Sequence, residues 1–298
     1  MLEASSILKG HGAALITILI WGTTFVSTKT LLADFTPIEI LFYRFSAGLI
    51  VLSIAYPHRL KGTGKKQELM FMAAGLCGVT LYFMLENIAL TYTAVSNVGV
   101  ICSTAPFFTA LLANWLLGEE RPKAKFFIGF FVAMTGISLI SFSGSIVLRL
   151  NPIGDLLALM ATIIWSFYSI LARRISEFGF NTIQTTRKIF FYGLAFMIPV
   201  LFLFRFNLGI ERFSRPANVF NILYLGVGAS ALCFVTWNLA VKLLGPVKTI
   251  VYTYLVPVVA VVASVIVLSE KITWMSALGI VLTLTGLFLS EKKTKVSA

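Results

Sequence analysis

Long apolar stretches separated by short polar connections occupy almost the whole chain. A helix needs about 20 apolar residues to cross a hydrocarbon layer about 30 Å thick. Ten stretches meet this requirement, and we call them spans 1 to 10: 11–32, 37–56, 68–91, 94–117, 124–143, 153–174, 183–204, 217–240, 247–269 and 273–290. The pattern predicts an all-α membrane protein of ten transmembrane helices, with almost no residues left for a soluble domain.

The spans form two similar sets of five, because residues of the same type recur at a nearly constant distance. A shift of 151 residues superposes several pairs: Gly75 and Gly226, Asn87 and Asn238, Ala89 and Ala240, Pro106 and Pro257, and Glu119 and Glu270. A shift near 144 places Trp21 on Trp165 and Arg44 beside Lys188. An odd number of spans per set inverts the second set in the bilayer, as in transporters that open alternately to each side. We therefore predict two inverted five-helix repeats, residues 1–145 and 146–298.

The composition is that of a chain surrounded by lipid. Hydrophobic residues make up 58% and charged residues 12%, whereas a soluble protein carries roughly 25% charged residues. The net charge is +12, and the connections on one side of the membrane hold 15 lysines and arginines against 5 on the other side. The positive-inside rule therefore predicts that both termini are cytoplasmic. It also makes the lipid bilayer, and not a nucleic acid, the expected large partner.

The polar residues show no enzyme or cofactor pattern. Cys77, Cys102 and Cys233 lie within spans and are expected to pack as small apolar residues. His11 and His58 lie at span ends without metal-ligand spacing. The sequence contains no clustered catalytic constellation and no nucleotide-binding glycine loop. We expect no metal and no cofactor, and transport energy would come from gradients or from an exchanged solute.

Symmetric prolines and glutamates suggest gates. A proline inside a helix removes a backbone hydrogen bond and bends the helix, so Pro106 and Pro257 predict either hinges or static kinks in spans 4 and 9. Glu119 and Glu270 end the same two spans at opposite faces of the membrane. The hairpins of spans 3–4 and 8–9 would then act as paired gates, one closed while the other is open.

Four ionisable residues lie within spans: Lys29, Arg44, Glu86 and Lys188. A charge in the middle of a bilayer costs at least about 2.5 kcal/mol, and is therefore usually paired or exposed to water. We predict that Glu86 pairs with Lys29 or Arg44, forms part of an outer gate or substrate site, and takes up a proton. The alternative is an ion pair that only fixes the packing of the helices.

Polar and aromatic residues of the spans are candidates for lining a substrate cavity. The amides are Asn87, Asn97 and Asn238, and the aromatic residues are Trp21, Phe25, Tyr82, Trp165, Tyr168, Trp237 and Tyr254. An amide can bind a substrate or join two helices, and a tryptophan in mid-span either packs or stacks on a substrate. Both interpretations stay open for each residue.

The ordered set of motifs resembles the EamA branch of the drug/metabolite transporter superfamily. The motifs are Trp21-Gly22, Pro37, Arg44, Ala89-Leu90, Tyr92-Thr93-Ala94, Pro106-Phe107 and Leu117-Gly118-Glu119, followed by Leu244-Gly245-Pro246, Tyr254-Leu255-x-Pro257 and Leu268-Ser269-Glu270. The resemblance implies a carrier whose central cavity is lined by spans 1, 3, 4, 6, 8 and 9, and whose relatives mostly export or exchange amino acids and other small metabolites. Two positions depart from symmetry: Ser166 replaces the glycine after Trp165, and Trp237 occupies the position equivalent to Glu86.

The expected function is therefore a secondary transporter of small metabolites, above all amino acids, in a bacterial cytoplasmic membrane. A carrier of larger anions such as nucleotide-linked compounds is a second reading, and a channel or non-transport membrane protein is a third. Small-residue faces at Gly129, Gly136 and Gly279 indicate close helix contacts, either within one chain or in a homodimer.

Overall fold

The computed structural model describes residues 2–93, 95–142, 151–204, 206–268 and 273–290, without the side chains of residues 2–4, 25, 26, 29, 90, 95, 96, 264, 265, 267 and 268. These residues form helices and connections, with no strand among them. Nine helices in the described ranges are long and apolar enough to cross a membrane, and Trp274–Ser290 is a shorter apolar helix. The predicted all-α membrane fold is confirmed.

The helices follow the predicted spans closely. Their bounds are Leu2–Leu31, Pro37–Ala55, Lys65–Tyr92, Val95–Leu117, Ala124–Phe142, Pro152–Ser176, Thr182–Leu203, Pro216–Leu244, Pro246–Leu268 and Trp274–Ser290, with internal irregularities in spans 3, 4, 8 and 9. Capping residues explain several starts. Thr36 and Glu39 form a capping box before span 2, and Asn151 and Asn181 cap spans 6 and 7.

The two ends of the helix bundle are named here by the turns they carry. The Thr93 end holds the turn between spans 3 and 4, and the Gly245 end holds the turn between spans 8 and 9. Near the beginning of the chain, His11 Nδ1 lies 2.5 Å from the hydroxyl of Tyr252 at the Gly245 end. Ser290 reaches the carbonyl of Phe126 at the same end. The beginning of span 1 and the end of span 10 therefore lie on the same side of the bundle. That this side faces the cytoplasm stays a prediction.

Spans 5 and 10 pack on each other with two-fold symmetry. A Cβ atom built on Gly129 would lie 2.5 Å from the nitrogen of Ser290, and one built on Gly279 would lie 3.0 Å from the nitrogen of Ile140. Each early glycine therefore meets the late part of the other helix, so that these equivalent spans run antiparallel. Because equivalent spans of the two repeats point in opposite directions, the repeats are inverted, as predicted. The small-residue faces form a seam within the chain.

A second symmetric contact joins spans 3 and 7 on one side and spans 8 and 2 on the other. Gly75 packs against the backbone of Ile189 and Gly193, and its counterpart Gly226 packs against the backbone of Arg44 and Gly48. Ring pairs repeat the relation: Phe45 and Phe83 lie 5.2 Å apart, and Phe190 and Phe234 lie 5.0 Å apart. These contacts relate spans 2 and 7 by a shift of 145 residues. Arg44 is then equivalent to Ile189, and Lys188 precedes the equivalent position by one residue.

Four symmetric irregularities bend the spans that surround the middle of the bundle. Spans 3 and 8 contain the π-helical segments Leu76–Leu81 and Tyr224–Leu232, and such segments occur often at functional sites. Span 4 is interrupted between Val95–Cys102 and Ala105–Leu117, and span 9 passes through the 3₁₀ turn Tyr252–Tyr254. The interruptions lie just before Pro106 and Pro257, where kinks are expected, while their action as hinges stays a prediction.

Candidate functional site

An aromatic layer closes the middle of the bundle. It consists of the tryptophans Trp21, Trp165 and Trp237 with three rings that pack on them, Tyr82, Tyr168 and Phe234. Phe83 joins the layer through Tyr82 and Phe234. The ring centroids of Trp21 lie 5.5 Å from those of Trp165 and 5.2 Å from those of Trp237. Tyr82 lies 4.8 Å from Trp165. Such distances are those of direct ring packing, so five of the predicted cavity residues meet in one layer.

Span 1 joins the layer through the Trp21 indole, which donates a 3.0 Å hydrogen bond from Nε1 to the carbonyl of Ala229. Behind this ring, Gly22 approaches the carbonyl of Val256. At the symmetric place the hydroxyl of Ser166 lies 3.0 Å from the carbonyl of Thr162 in its own helix and 3.3 Å from the carbonyl of Ala105 in span 4. The serine that replaces the glycine of the Trp-Gly motif in span 6 therefore makes polar contacts instead of a close backbone approach.

Arg44 is a buried cation beside the layer. Its side chain donates a 2.9 Å hydrogen bond from Nε to Ser230, and its guanidinium carbon lies 5.0 Å from the ring centroid of Phe83. Within the described part of the chain, its two terminal amino groups have no hydrogen-bond partner. A guanidinium fork that is buried and unpaired is suited to a planar anionic group such as a carboxylate.

Glu86 lies close to Arg44 but does not pair with it directly. One oxygen of Glu86 accepts a 2.9 Å hydrogen bond from Tyr82. The charges of Glu86 and Arg44 interact, yet no nitrogen of Arg44 lies within 4.0 Å of a Glu86 oxygen. The expected direct ion pair is therefore absent among the described residues, and the guanidinium contacts Ser230 and Phe83 instead. The other predicted partner, Lys29, has its side chain outside the described residues.

The two symmetric asparagines have opposite environments. Asn238 is 6% exposed. It accepts a 2.8 Å hydrogen bond from Tyr168 and donates one of 3.0 Å to Thr186. Asn87 is partly exposed, and its amide has no hydrogen-bond partner among the described residues. Asn238, toward the Gly245 end, is held by hydrogen bonds to spans 6 and 7. The amide of Asn87, toward the Thr93 end, makes no hydrogen bond to a described residue.

A small pocket reaches Asn238 from the Gly245 end, between spans 6, 7 and 8. Its lining includes Ser176, Thr185 and Lys242. Tyr168, a fully buried member of the aromatic layer, donates its hydrogen bond to Asn238 at the edge of this pocket.

Two predicted cavity residues lie elsewhere. Tyr254 is buried in a separate cluster with spans 5 and 10, since the 3₁₀ turn directs it toward Phe130 and Ile137. Asn97 donates to the hydroxyl of Thr93, which in turn donates to Asp155. These contacts place Tyr254 and Asn97 in helix packing and in the closure of the Thr93 turn, away from the aromatic layer.

Lys188 is a paired charge, which is one of the two arrangements expected for an ionisable residue within a span. It forms an ion pair with Glu68 and a 3.0 Å hydrogen bond to Thr63, close to the starts of spans 3 and 7. Tyr192 donates to the same carboxylate, at 2.5 Å. Lys188 therefore joins two repeats at their border, a position that the one-residue difference from the Arg44 register explains.

Of the two predicted gate glutamates, the structure describes Glu119. The carbonyl of Glu119 accepts a 2.6 Å hydrogen bond from Asn114, after a helix end formed by Gly118 with φ +67°. Its symmetric mate Glu270 lies outside the described residues, as does the side chain of Phe25. Paired action of the two glutamates stays a prediction.

Sequence reasoning missed Ser230, Thr186, and the four phenylalanines near the symmetry axis: Phe45, Phe83, Phe190 and Phe234. The phenylalanines were detectable, because they recur at shifts of 145 and 151 residues like the pairs already noted. Ser230 and Thr186 have no polar counterpart in the other repeat, so the sequence carried no signal for them.

Comparisons with known proteins agree with this architecture. The EamA-like transporter family matches residues 8–142 and again residues 152–291. An uncharacterized transporter of Archaeoglobus fulgidus is 27% identical over 96% of this chain and 98% of its own length, and the uncharacterized transporter YyaM of Bacillus subtilis is 26% identical over 91% and 89%. A probable terminal-alkyne amino-acid exporter of Streptantibioticus cattleyicolor is 23% identical over 96% and 94%. One solved crystal structure superposes with a TM-score of 0.76 at 20% identity, covering 96% of both chains.

Proposed function

Because this chain belongs to the EamA-like transporter family, we propose that it exports or exchanges amino acids across the membrane by alternating access. Two inverted repeats give a carrier two related conformations, in which each repeat takes the position that the other leaves. The aromatic layer at the meeting point of the repeats would separate the two access routes. Spans 3–4 and 8–9 would supply the moving hairpins.

The observation that carries the proposal is the contrast between Asn87 and Asn238. The two amides occupy equivalent places in spans 3 and 8, and they have different environments. The Asn238 amide is bound by Tyr168 and Thr186, which closes the Gly245 end. The Asn87 amide is open, as expected of a residue on the accessible side. We take this as a conformation closed at the Gly245 end and accessible from the Thr93 end.

The contacts of the basic residues favour amino acids over larger anions as the substrate. A nucleotide-linked substrate needs several basic groups facing one cavity. Lys188 is paired with Glu68, and Arg187 donates to the carbonyls of Tyr56 and His58. Arg44 is thus the cation left open beside the layer among these three. The amino-acid compound named for one relative supports the same class.

The proposed location is a bacterial cytoplasmic membrane, with the Gly245 end in the cytoplasm. This orientation follows from the excess of lysine and arginine in the connections of that end. Substrate would then enter from the cytoplasm after the Tyr168–Asn238 contact opens, and leave on the side accessible in the present conformation.

Uptake by proteoliposomes tests the function. Vesicles holding the purified protein and an internal amino acid are diluted into each radiolabelled amino acid, nucleoside and nucleotide, with and without a pH gradient. We expect exchange of at least one amino acid above that of protein-free vesicles. Exchange of nucleotides without exchange of any amino acid would replace the proposal by the anion carrier, and a flux that does not saturate would indicate a channel.

A further inference from the structure

We infer that Arg44 and Glu86 form a binding site for a zwitterion, in which Arg44 takes the carboxylate and Glu86 takes the ammonium group of one substrate molecule. The inference rests on the proposed transport function and adds the chemical group that the site recognises. It assigns the selectivity of the carrier to two side chains beside the aromatic layer.

The first argument is the open hydrogen-bonding capacity of the two charges. Arg44 is 7% exposed, and the single hydrogen bond of its side chain goes from Nε to Ser230. The terminal amino groups, which make the parallel bonds to a carboxylate, are free of partners in the described structure. Leaving such a group unpaired inside a membrane protein is costly. A substrate carboxylate would supply the missing acceptors.

The second argument is the arrangement of Glu86. Tyr82 occupies one of its oxygens, and the other oxygen has no partner among the described residues. The carboxylate lies more than 4.0 Å from any nitrogen of Arg44, although the two charges interact. Two separated charges of opposite sign can be bridged by a group that carries both charges. Ser230 and Phe83 contact the guanidinium of Arg44, and Tyr82 holds the carboxylate of Glu86.

The third argument is charge balance. Arg44 and Glu86 together carry no net charge, so a zwitterion enters the membrane interior without adding any. A monocarboxylate would leave Glu86 unpaired beside a new negative charge. A monoamine would leave Arg44 unpaired beside a new positive charge. Since an unpaired buried charge is strongly unfavourable, the site should reject both. The side chain of the substrate would then lie against the partly exposed rings of Trp21 and Tyr82.

A competition assay with matched compounds tests the site. The amino acid with the highest uptake is compared with its deaminated acid and its decarboxylated amine, for example phenylalanine with 3-phenylpropanoate and 2-phenylethylamine. In the wild-type protein we expect each analogue to compete on the order of 10- to 100-fold more weakly than the amino acid, as for the loss of a charged hydrogen-bond pair. An analogue that competes as strongly as the amino acid would overturn the inference.

Two variants reverse the selectivity. Glu86→Gln keeps the shape and the acceptor for Tyr82 but leaves the site positively charged, so the ratio of acid to amino-acid affinity should rise at least about tenfold. Arg44→Gln should raise the corresponding ratio for the amine. Glu68→Gln is the matched control, because this carboxylate of the same span is satisfied by Lys188 and Tyr192. Its selectivity should equal that of the wild type. Equal ratios in all variants would make the Arg44–Glu86 pair structural.

Binding to the detergent-solubilised protein separates failure of this site from failure of the proposed function. The same three compounds are tested for their effect on the unfolding temperature, which needs no transport. If no amino acid is exchanged by vesicles but one still stabilises the wild-type protein and not Glu86→Gln, the transport proposal fails and the site stands. If amino acids are exchanged while the analogues bind equally well, the site fails and the transport proposal stands. Arg44→Lys, which keeps the charge, serves where Arg44→Gln does not fold.

Discussion

The hydroxyl group of Tyr168 donates a hydrogen bond of 2.8 Å to Oδ1 of Asn238, and both residues are buried. The bond joins span 6 to span 8, and Thr186 extends it to span 7. The amide of Asn87, at the equivalent place in span 3, makes no such bond among the described residues. The second repeat therefore has hydrogen bonds at Asn238 that the first repeat lacks at Asn87. This difference between the repeats can be measured.

Replacing the two asparagines should change stability unequally. Asn238→Ala leaves the buried hydroxyl of Tyr168 without a partner. It also removes the amide donor to Thr186, whose own hydroxyl still donates to the carbonyl of Thr182. The loss should cost about 1–3 kcal/mol. Asn87→Ala breaks no hydrogen bond of the described structure and should cost less than about 0.5 kcal/mol. Thermal unfolding of the purified proteins in one detergent measures the difference. Equal losses would show that the two amides have equal environments.

The seam between spans 5 and 10 should tolerate no larger side chains. A Cβ atom on Gly286 would lie 2.3 Å from the nitrogen of Ala133, and one on Gly136 would lie 2.5 Å from that of Thr283. Gly286→Val and Gly136→Val should therefore each destabilise the protein by about 1–3 kcal/mol or more. Gly12→Ala is the control, because no atom lies within 4 Å of its added Cβ. Unfolding temperatures that do not differ from that of the control would contradict the two-fold seam.

The symmetric prolines should affect turnover more than binding. Pro106→Ala and Pro257→Ala restore a backbone donor next to the helix interruptions, and so favour straight helices in spans 4 and 9. If these helix interruptions act as hinges, the maximal exchange rate should fall several-fold. The substrate concentration at half-saturation should change by less than about twofold. Pro199→Ala, inside span 7, is the matched control. Unchanged rates in both variants would make the breaks static kinks.

An acidic residue at the Thr93 end should make stability depend on pH. Asp34 accepts hydrogen bonds from Asn218 and Arg215, and the Asn218 bond is the main cause that holds the pKa of its carboxyl below the ordinary value of 3.8. Because the folded state favours the ionised form, its contribution is present above pH 4 and is lost as the pH falls through the lowered pKa. The gap in unfolding temperature between wild type and Asp34→Asn should therefore shrink from pH 6 to pH 3. A gap that stays constant between pH 6 and pH 3 would contradict this.

The spans, their inversion and the symmetric pairs followed from the sequence, because lipid requires long apolar helices and a repeat preserves spacing. Trp21, Trp165 and Trp237 meet in one layer, and their role in lining a substrate cavity stays a prediction. The π-helical segments did not follow, since paired glycines such as Gly226 and Gly228 allow an irregular turn without specifying it. Individual side-chain contacts were equally hidden. Arg44 binds Ser230 and Lys188 binds Glu68 because of a one-residue difference in register that hydropathy does not encode.

The central claim is that closure at the Gly245 end and access from the Thr93 end exclude each other. Two cysteines report both routes in a protein with Cys77 and Cys233 replaced by alanine: native Cys102, whose environment includes Glu86, and Ser176→Cys in the small pocket below Asn238. Their labelling rates with a small thiol reagent are compared before and after Tyr168→Phe, which removes a hydrogen bond worth about 1 kcal/mol. Alternating access predicts that labelling rises several-fold at position 176 and falls at Cys102. Labelling that rises at both positions, or changes at neither, would contradict it.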